Sequence, residues 1–187
     1  MASSSRLRVM GGEQRGMPLV EPRGLRLRPT TGRVREAIFN VLGDQIAGAR
    51  VLDCYAGTGA LGIEALSQGA AEAVFVDSSG AATRAIVESL SRMGLKERGT
   101  VLRGRLPGAL ESVAGPFDVV FLDPPYDDAT ADETLVSLGA LVAPGGTVVY
   151  EHGSRYNPPE YPAGLELQDR RTYGDSAVAI YRAKEEA

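Results

Sequence analysis

Between residues 49 and 183 the apolar positions switch repeatedly between short continuous runs and a helical period. ARVLDCY (49–55), AVFVD (73–77), FDVVFLD (117–123) and GGTVVYE (145–151) read as strands, and TVLRG (100–104) as a shorter one. The intervening ALGIEALSQG (60–69), AATRAIVESLSRMG (81–94) and ATADETLVSLGALV (129–142) read as helices. Ahead of them RPTTGRVREAIFNVL (28–42) predicts a helix opened by Pro29 and a cap at Thr30 or Thr31, with Val34, Ile38, Val41 and Leu42 at helical spacing. The tail LELQDRRTYGDSAVAIYRA (165–183) predicts two strands joined at Tyr-Gly-Asp. Strands alternating with helices predict an α/β fold: a doubly wound, mostly parallel Rossmann-like sheet with a C-terminal antiparallel hairpin. Upstream, LRVMGG, GMPLV and GLRLR predict a small N-terminal β-hairpin-like arm. The expected division is an N-terminal arm over 1–29 and the main domain over 30–187.

Composition changes this picture little. The chain has 187 residues, 43% hydrophobic and 24% charged, as expected for one globular domain with a real core. The N-terminus lacks an apolar signal segment and no run approaches the roughly 18 apolar residues of a membrane span, so a cytoplasmic protein without a membrane partner is expected. One Cys and one His supply neither an internal disulfide nor a dedicated zinc set, so no metal is expected.

Charge changes it more. Eight arginines fall within residues 1–35 against Glu13 and Glu21, whereas the remainder holds 12 basic and 22 acidic residues. Arginine suits bidentate phosphate contact, so the segment reads as a footprint for a polyanion such as nucleic acid, or else as a solvated basic arm. Arg8, Arg15, Arg28, Arg33 and Arg35 are the candidate contacts.

The chemistry sits in two motifs. In VLDCYAGTGALG, Gly57, Gly59 and Gly62 form G-x-G-x-x-G directly after a strand, and Asp77 ends the next strand 20 residues beyond Gly57. That pattern lets backbone approach a ligand closely and places an acid for ribose hydroxyls, and it fits NAD as well as S-adenosylmethionine. Asp53 favours the second, because a carboxylate helps nothing in a pyrophosphate loop but can meet an ammonium; its alternative role is to cap the following turn. The second motif is FLDPPY (121–126). Two prolines cannot continue a central strand, so they rigidly present Asp123, Pro124, Pro125 and Tyr126 just past its end. An exocyclic base amine is a poor nucleophile. A carboxylate at Asp123 and the Pro124 carbonyl can accept its two hydrogens, while Tyr126 offers a stacking face to an unstacked base. Cys54 reads as a packed side chain, His152 as structural or solvated, Tyr173 as packing, and Arg170 and Arg171 as either basic surface or a solvated hairpin.

Together RVMGGEQRG, RPTTGRVREAIFNVL, LDCYAGTGALGIEALSQGA, FLDPPY and YGDSAVAIY resemble the RsmD-type family of small-subunit rRNA guanine-N2 methyltransferases, over about residues 8–182. The resemblance implies S-adenosylmethionine as cofactor and a guanine of 16S rRNA, within the small ribosomal subunit, as target of base flipping and in-line transfer. It places the cofactor over Asp53, Tyr55, Ala56, Gly57, Thr58, Gly59, Asp77, Ser78, Arg105 and Leu106, and the reacting amine on Asp123 and Pro124. Arg105 stands where members carry Asp or Asn, which leaves adenine to backbone near Leu106, and Gly32 replaces an acid of the Arg-Pro-Thr segment. A monomer is expected. The alternatives are DNA adenine-N6 methylation, which would need a recognition domain this chain has no room for, and a non-catalytic RNA-binding assembly factor.

Overall fold

β1 (Arg50–Cys54) lies at the centre of a seven-stranded sheet, flanked in parallel register by β2 (Glu72–Asp77) and β4 (Phe117–Leu122). This computed structural model describes residues 7–24 and 31–185. The full order is β3-β2-β1-β4-β5-β7-β6, with β3 (Gly99–Arg103), β5 (Val142–Gly153), β6 (Leu165–Tyr173) and β7 (Ser176–Ala183). β7 pairs antiparallel with both β5 and β6, so the predicted terminal hairpin is present and its second strand inserts beside β5. The order reverses between β1 and β4, which is where sheets of this class open a ligand crevice.

Among the described residues four α-helices cover the sheet: α1 (Gly32–Leu42), α2 (Ala60–Ser67), α3 (Gly80–Arg92) and α4 (Ala131–Leu138). α1 starts where the Thr31 hydroxyl accepts from the Val34 N–H at 3.3 Å, and it buries Val34, Ile38, Phe39 and Leu42. The helix expected over 129–142 stops at Leu138, and Val142 already pairs with Phe117 as the first residue of β5. Two apolar layers result. One packs Val51, Phe75, Phe121 and Val149 with residues of α1, α2 and α3, and the other packs Leu52, Val76, Leu122 and Tyr150 with α4. The alternation follows from the two-residue period of a strand covered on both faces.

The N-terminal β-hairpin-like arm is not borne out. Among the described residues this segment holds one isolated bridge, Arg8 to Pro18, and no named strand; most of GLRLR lies outside them. Val9, Gly16 and Leu19 donate across the segment to the Met17, Val9 and Leu7 carbonyls at 3.0, 2.8 and 2.9 Å, but the other donors anchor it to the helices rather than leaving it a separate arm. Glu64 of α2 accepts from the Met10 and Gly11 N–H groups at 2.8 and 2.7 Å, Ser67 from Gln14 at 2.9 Å, and Ser89 of α3 from Val20 at 2.9 Å. Val9 and Leu19 are buried in the same cluster as the sheet. Gly12 is what allows this contact: its φ is +75°, and a Cβ there would lie 1.8 Å from the Ser67 carbonyl oxygen.

Candidate active site

The two motifs meet where β1 and β4 end side by side, with Cys54 opposite Leu122 and the Asp123 N–H directed at the Cys54 carbonyl at 3.4 Å. From Asp53 onward the chain leaves β1 through Tyr55 (φ 59°), Gly57 (φ 56°) and Gly59 (φ 74°) and enters α2 at Ala60. Gly62 fixes how close that helix comes to the sheet, because a Cβ there would sit 2.3 Å from Phe75 Cε1, a ring with no room to move. The third glycine thus serves packing, whereas the first two shape the loop.

Asp53 is 2% exposed, and its Oδ2 accepts from the Gly62 N–H at 2.9 Å. It therefore caps α2, whose N-cap Gly59 has no side chain to do so. Burial pushes its carboxyl pKa well up, the Gly62 hydrogen bond opposes this, and the nearby Asp123 and Asp77 charges add to the rise. A buried carboxylate held in that state is suited to a cationic ligand group. Asp77 accepts from the Gly57 N–H and the Ser79 N–H, each at 2.8 Å, so it ties the glycine loop to the start of α3. Tyr55 bonds its hydroxyl to Thr134 of α4 at 3.1 Å, and Ala56 donates to the Val76 carbonyl at 3.1 Å. Thr58 is half-buried and Ser78 exposed beside this loop.

Following the alternation of the strands, Asp77, Asp53, Asp123 and Glu151 project from the ends of β2, β1, β4 and β5 on one face of the sheet. Glu151, 6% exposed, is the member that motif reading passed over. Pro124 is buried and Pro125 exposed, while Tyr126 is 43% exposed with its hydroxyl bonded to Ser176 of β7. Arg105 is exposed and its charge acts on Asp128, whose carboxyl lies below the usual range chiefly because hydrogen bonds from Thr130 outweigh its burial. Leu106 is buried against the α4-side layer, so this turn offers its backbone, with Gly104 donating to the Asp77 carbonyl at 3.0 Å.

The expected RNA cations scatter. Arg8, Arg15 and Arg33 are exposed, although Arg8 donates to the Gly16 carbonyl at 2.7 Å; Arg28 lies outside the described residues. Arg35 is a correction: it is 2% exposed, with its guanidinium turned inward to the Arg8 carbonyl at 2.7 Å and to Glu64 at 4.0 Å. Burial lowers its pKa and Glu64 partly restores it. A buried guanidinium holding the N-terminal segment cannot meet a phosphate. Two cations absent from the sequence reading do converge. Arg84 of α3 and Arg103 of β3 each bring a guanidinium nitrogen to within 3.2–3.3 Å of the point where a Gly80 Cβ would lie. Among the described residues neither has a carboxylate within salt-bridge distance. A groove of about 560 Å³ between residues 18–23 and α3, lined in part by Arg23, Arg84 and Arg92, lies on the same side.

The remaining residues resolve more simply. Cys54 is fully buried and burial drives its thiol pKa up, so it packs. Tyr173 packs against the core. His152 is 3% exposed and lies on the opposite face of β5, in an aromatic group with Tyr150 and Tyr156. Its Nδ1 donates to the Gly153 carbonyl at 2.8 Å, and burial lowers its pKa. Arg170 spends its guanidinium on the Ser154 and Tyr156 carbonyls, and Arg171 pairs with Asp169.

A family model described as "Conserved hypothetical protein 95" matches residues 7–182. The Bacillus subtilis protein YlbH, provisionally named an rRNA methyltransferase, is 36% identical over 183 residues, covering 95% of this chain and all of the relative. The Escherichia coli ribosomal RNA small subunit methyltransferase D is 33% identical over 183 residues, covering 97% and 92% of the two chains. The solved Escherichia coli structure yhhF, provisionally named a methyltransferase, superposes with a TM-score of 0.82 at 32% identity, covering 97% of this chain and 99% of that one. With this sheet order and these strand-end motifs, the chain belongs to the conserved hypothetical protein 95 family, the RsmD/YlbH type of S-adenosylmethionine-dependent methyltransferases.

Proposed function

We propose that the protein methylates the exocyclic N2 of a guanine in small-subunit 16S rRNA, with the small ribosomal subunit or an assembly intermediate as its partner. The observation that carries this reading is the adjacency of Asp123 to the glycine loop of β1, given the relative named for rRNA methylation. The residues present fit S-adenosylmethionine: buried Asp53 suits its ammonium, the Gly57–Gly59 backbone its amino-acid end, and Asp77 its ribose. Arg105 and Leu106 would border its adenine. Bound there, the cofactor supplies a methyl group activated by its sulfonium.

The chain's own residues do the rest. Asp123 accepts one N–H of the target amine and the Pro124 carbonyl the other, which turns the nitrogen lone pair toward the incoming methyl carbon. Asp123 also receives the proton released as the nitrogen gains its methyl. Pro124 and Pro125 lose little entropy in holding that geometry, and Tyr126 stacks on the flipped base, which contributes ~1–3 kcal/mol. Arg8, Arg15 and Arg33, together with Arg84 and Arg103, would meet phosphates around the target.

Asp123→Ala tests the catalytic assignment. Methyl transfer is expected to fall by roughly 10²–10³-fold or more, by analogy with the loss of one preorganised transition-state contact, while binding of RNA and cofactor persists. A variant with wild-type turnover would remove the amine-holding role.

A further inference from the structure

The YGDSAVAIY segment is part of the sequence resemblance, yet it contributes no residue to the cofactor loop or the amine clamp. Its placement shows what it does. β6 and β7 are joined by Gly174 and Asp175 alone, with Tyr173 opposite Ser176. Gly174 has φ +63°, as the first position of a II′ hairpin requires. That short turn delivers Ser176 to the start of β7, where it pairs with Gly153 at the end of β5. Ser176 is 9% exposed, and its hydroxyl meets the Tyr126 hydroxyl from a position 50 residues away in sequence. Gly153 faces the ring across a space about one methyl group wide, since a Cβ there would lie 3.8 Å from Tyr126 Cδ2, an ordinary van der Waals contact. Tyr126 is thus held at its hydroxyl end by β7, with the end of β5 beside its ring, while 43% of it remains open.

We infer that Ser176 is a positioning residue for methyl transfer, acting through its hydrogen bond to Tyr126 to fix the plane on which the flipped base stacks. This rests on the proposed base-flipping chemistry for its catalytic consequence, but the contact itself does not. A phenol ring at the fourth position of the eight-residue connection between β4 and α4 has rotamer freedom that would blur the base position. One hydrogen bond from the neighbouring hairpin removes that freedom without touching the substrate. The Gly-Asp turn and the serine after it then belong to the active site as its outer support.

The test combines kinetics and spectroscopy on the full-length protein. Ser176→Ala and Tyr126→Phe remove the same hydrogen bond from opposite ends. Each is expected to lower kcat/KM for the RNA by about 3- to 10-fold, the equivalent of one ordinary hydrogen bond, with cofactor Kd unchanged. The double variant is expected to be no worse than either single one, and Ser176→Thr, which keeps the hydroxyl, to restore most activity. Effects that multiply in the double variant, or wild-type kinetics for Ser176→Ala, would overturn the inference. The acceptor is whichever nucleic acid the wild-type protein methylates, so failure of the guanine assignment is seen separately. A second arm needs no acceptor: in 3-fluorotyrosine-labelled protein the Tyr126 fluorine resonance, identified by its loss in Tyr126→Phe, is expected to shift in Ser176→Ala. An unmoved resonance would show that Ser176 does not hold the ring.

Discussion

Asp53→Asn isolates the charge of the buried carboxylate while leaving an oxygen for the Gly62 N–H. In the free protein Asp53 is 2% exposed, and its pKa is raised first by burial and further by Asp123 and Asp77. A group whose folded pKa exceeds its unfolded one holds its proton in the folded state where the unfolded chain has lost it. Its contribution to stability is therefore full at low pH and is lost as pH rises through the folded value. A cationic ammonium beside Asp53 reverses the preference and expels that proton. Two results follow. The charge-assisted contact contributes ~1.5–3 kcal/mol, so Asp53→Asn should weaken binding of S-adenosylmethionine or its demethylated product by roughly 10- to 150-fold. Calorimetric titration of the wild type in phosphate and in Tris, at equal pH, should give different heats because a proton is released, and the difference should shrink in the variant. Melting curves taken upward in pH from the ordinary carboxylate range should show a downward stability contribution in the free wild type that is absent in Asp53→Asn. Wild-type affinity together with an unchanged buffer dependence would refute the ammonium role and leave Asp53 as a helix cap only.

Gly62→Ala forces a methyl group toward Phe75, which is wholly buried, and is expected to cost ~1–3 kcal/mol in urea unfolding; an unchanged midpoint would show that α2 can ride outward freely. Glu64→Gln removes the charge that faces Arg35 and accepts from Met10 and Gly11, and breaking a buried pair of this kind costs roughly 3–5 kcal/mol. Amide exchange at Met10 and Gly11 should accelerate in that variant, and retained protection would locate the anchor elsewhere. The Arg84→Ala and Arg103→Ala pair should raise KM for RNA and reduce the salt slope of binding by about 0.7 per lost phosphate contact, with cofactor Kd unchanged; an identical slope would take these cations off the RNA path.

Sequence reading succeeded where the governing interactions are local or set by strand ends. VLDCYAGTG and FLDPPY each mark the exit of an apolar run, and the alternation of strands and helices was enough to bring β4 beside β1. It failed where acceptors come from far along the chain. Val9 and Leu19 do pair across the segment with Met17 and Leu7, but the Met10, Gly11, Gln14 and Val20 N–H groups bond to Glu64, Ser67 and Ser89, 53 to 69 residues away, which binds the segment into the domain rather than leaving it an arm. Counting charge placed Arg35 among the RNA cations, although its spacing from Ile38, Phe39 and Leu42 put it on the buried stripe of α1. The end of α4 was missed because Ala140, Leu141 and Val142 suit a helix as well as a strand, and pairing of Val142 with Phe117 decides the matter. Arg84 and Arg103 carry no motif; only the adjacency of α3 and β3 brings them together. Ser176 was visible in a matched segment, but its contact with Tyr126, 50 residues away in sequence, was not.

The most direct measurement gives the purified protein S-adenosylmethionine labelled in the methyl group, with small ribosomal subunits lacking the modification, naked 16S rRNA and duplex DNA as parallel acceptors. Digestion and chromatography then identify the labelled nucleoside. Label in N2-methylguanosine from a ribosomal acceptor is the predicted result, with its initial rate lowered by roughly 10²–10³-fold or more in Asp123→Ala. Label in N6-methyladenine from DNA, or none in any acceptor despite measured cofactor binding, would contradict the account.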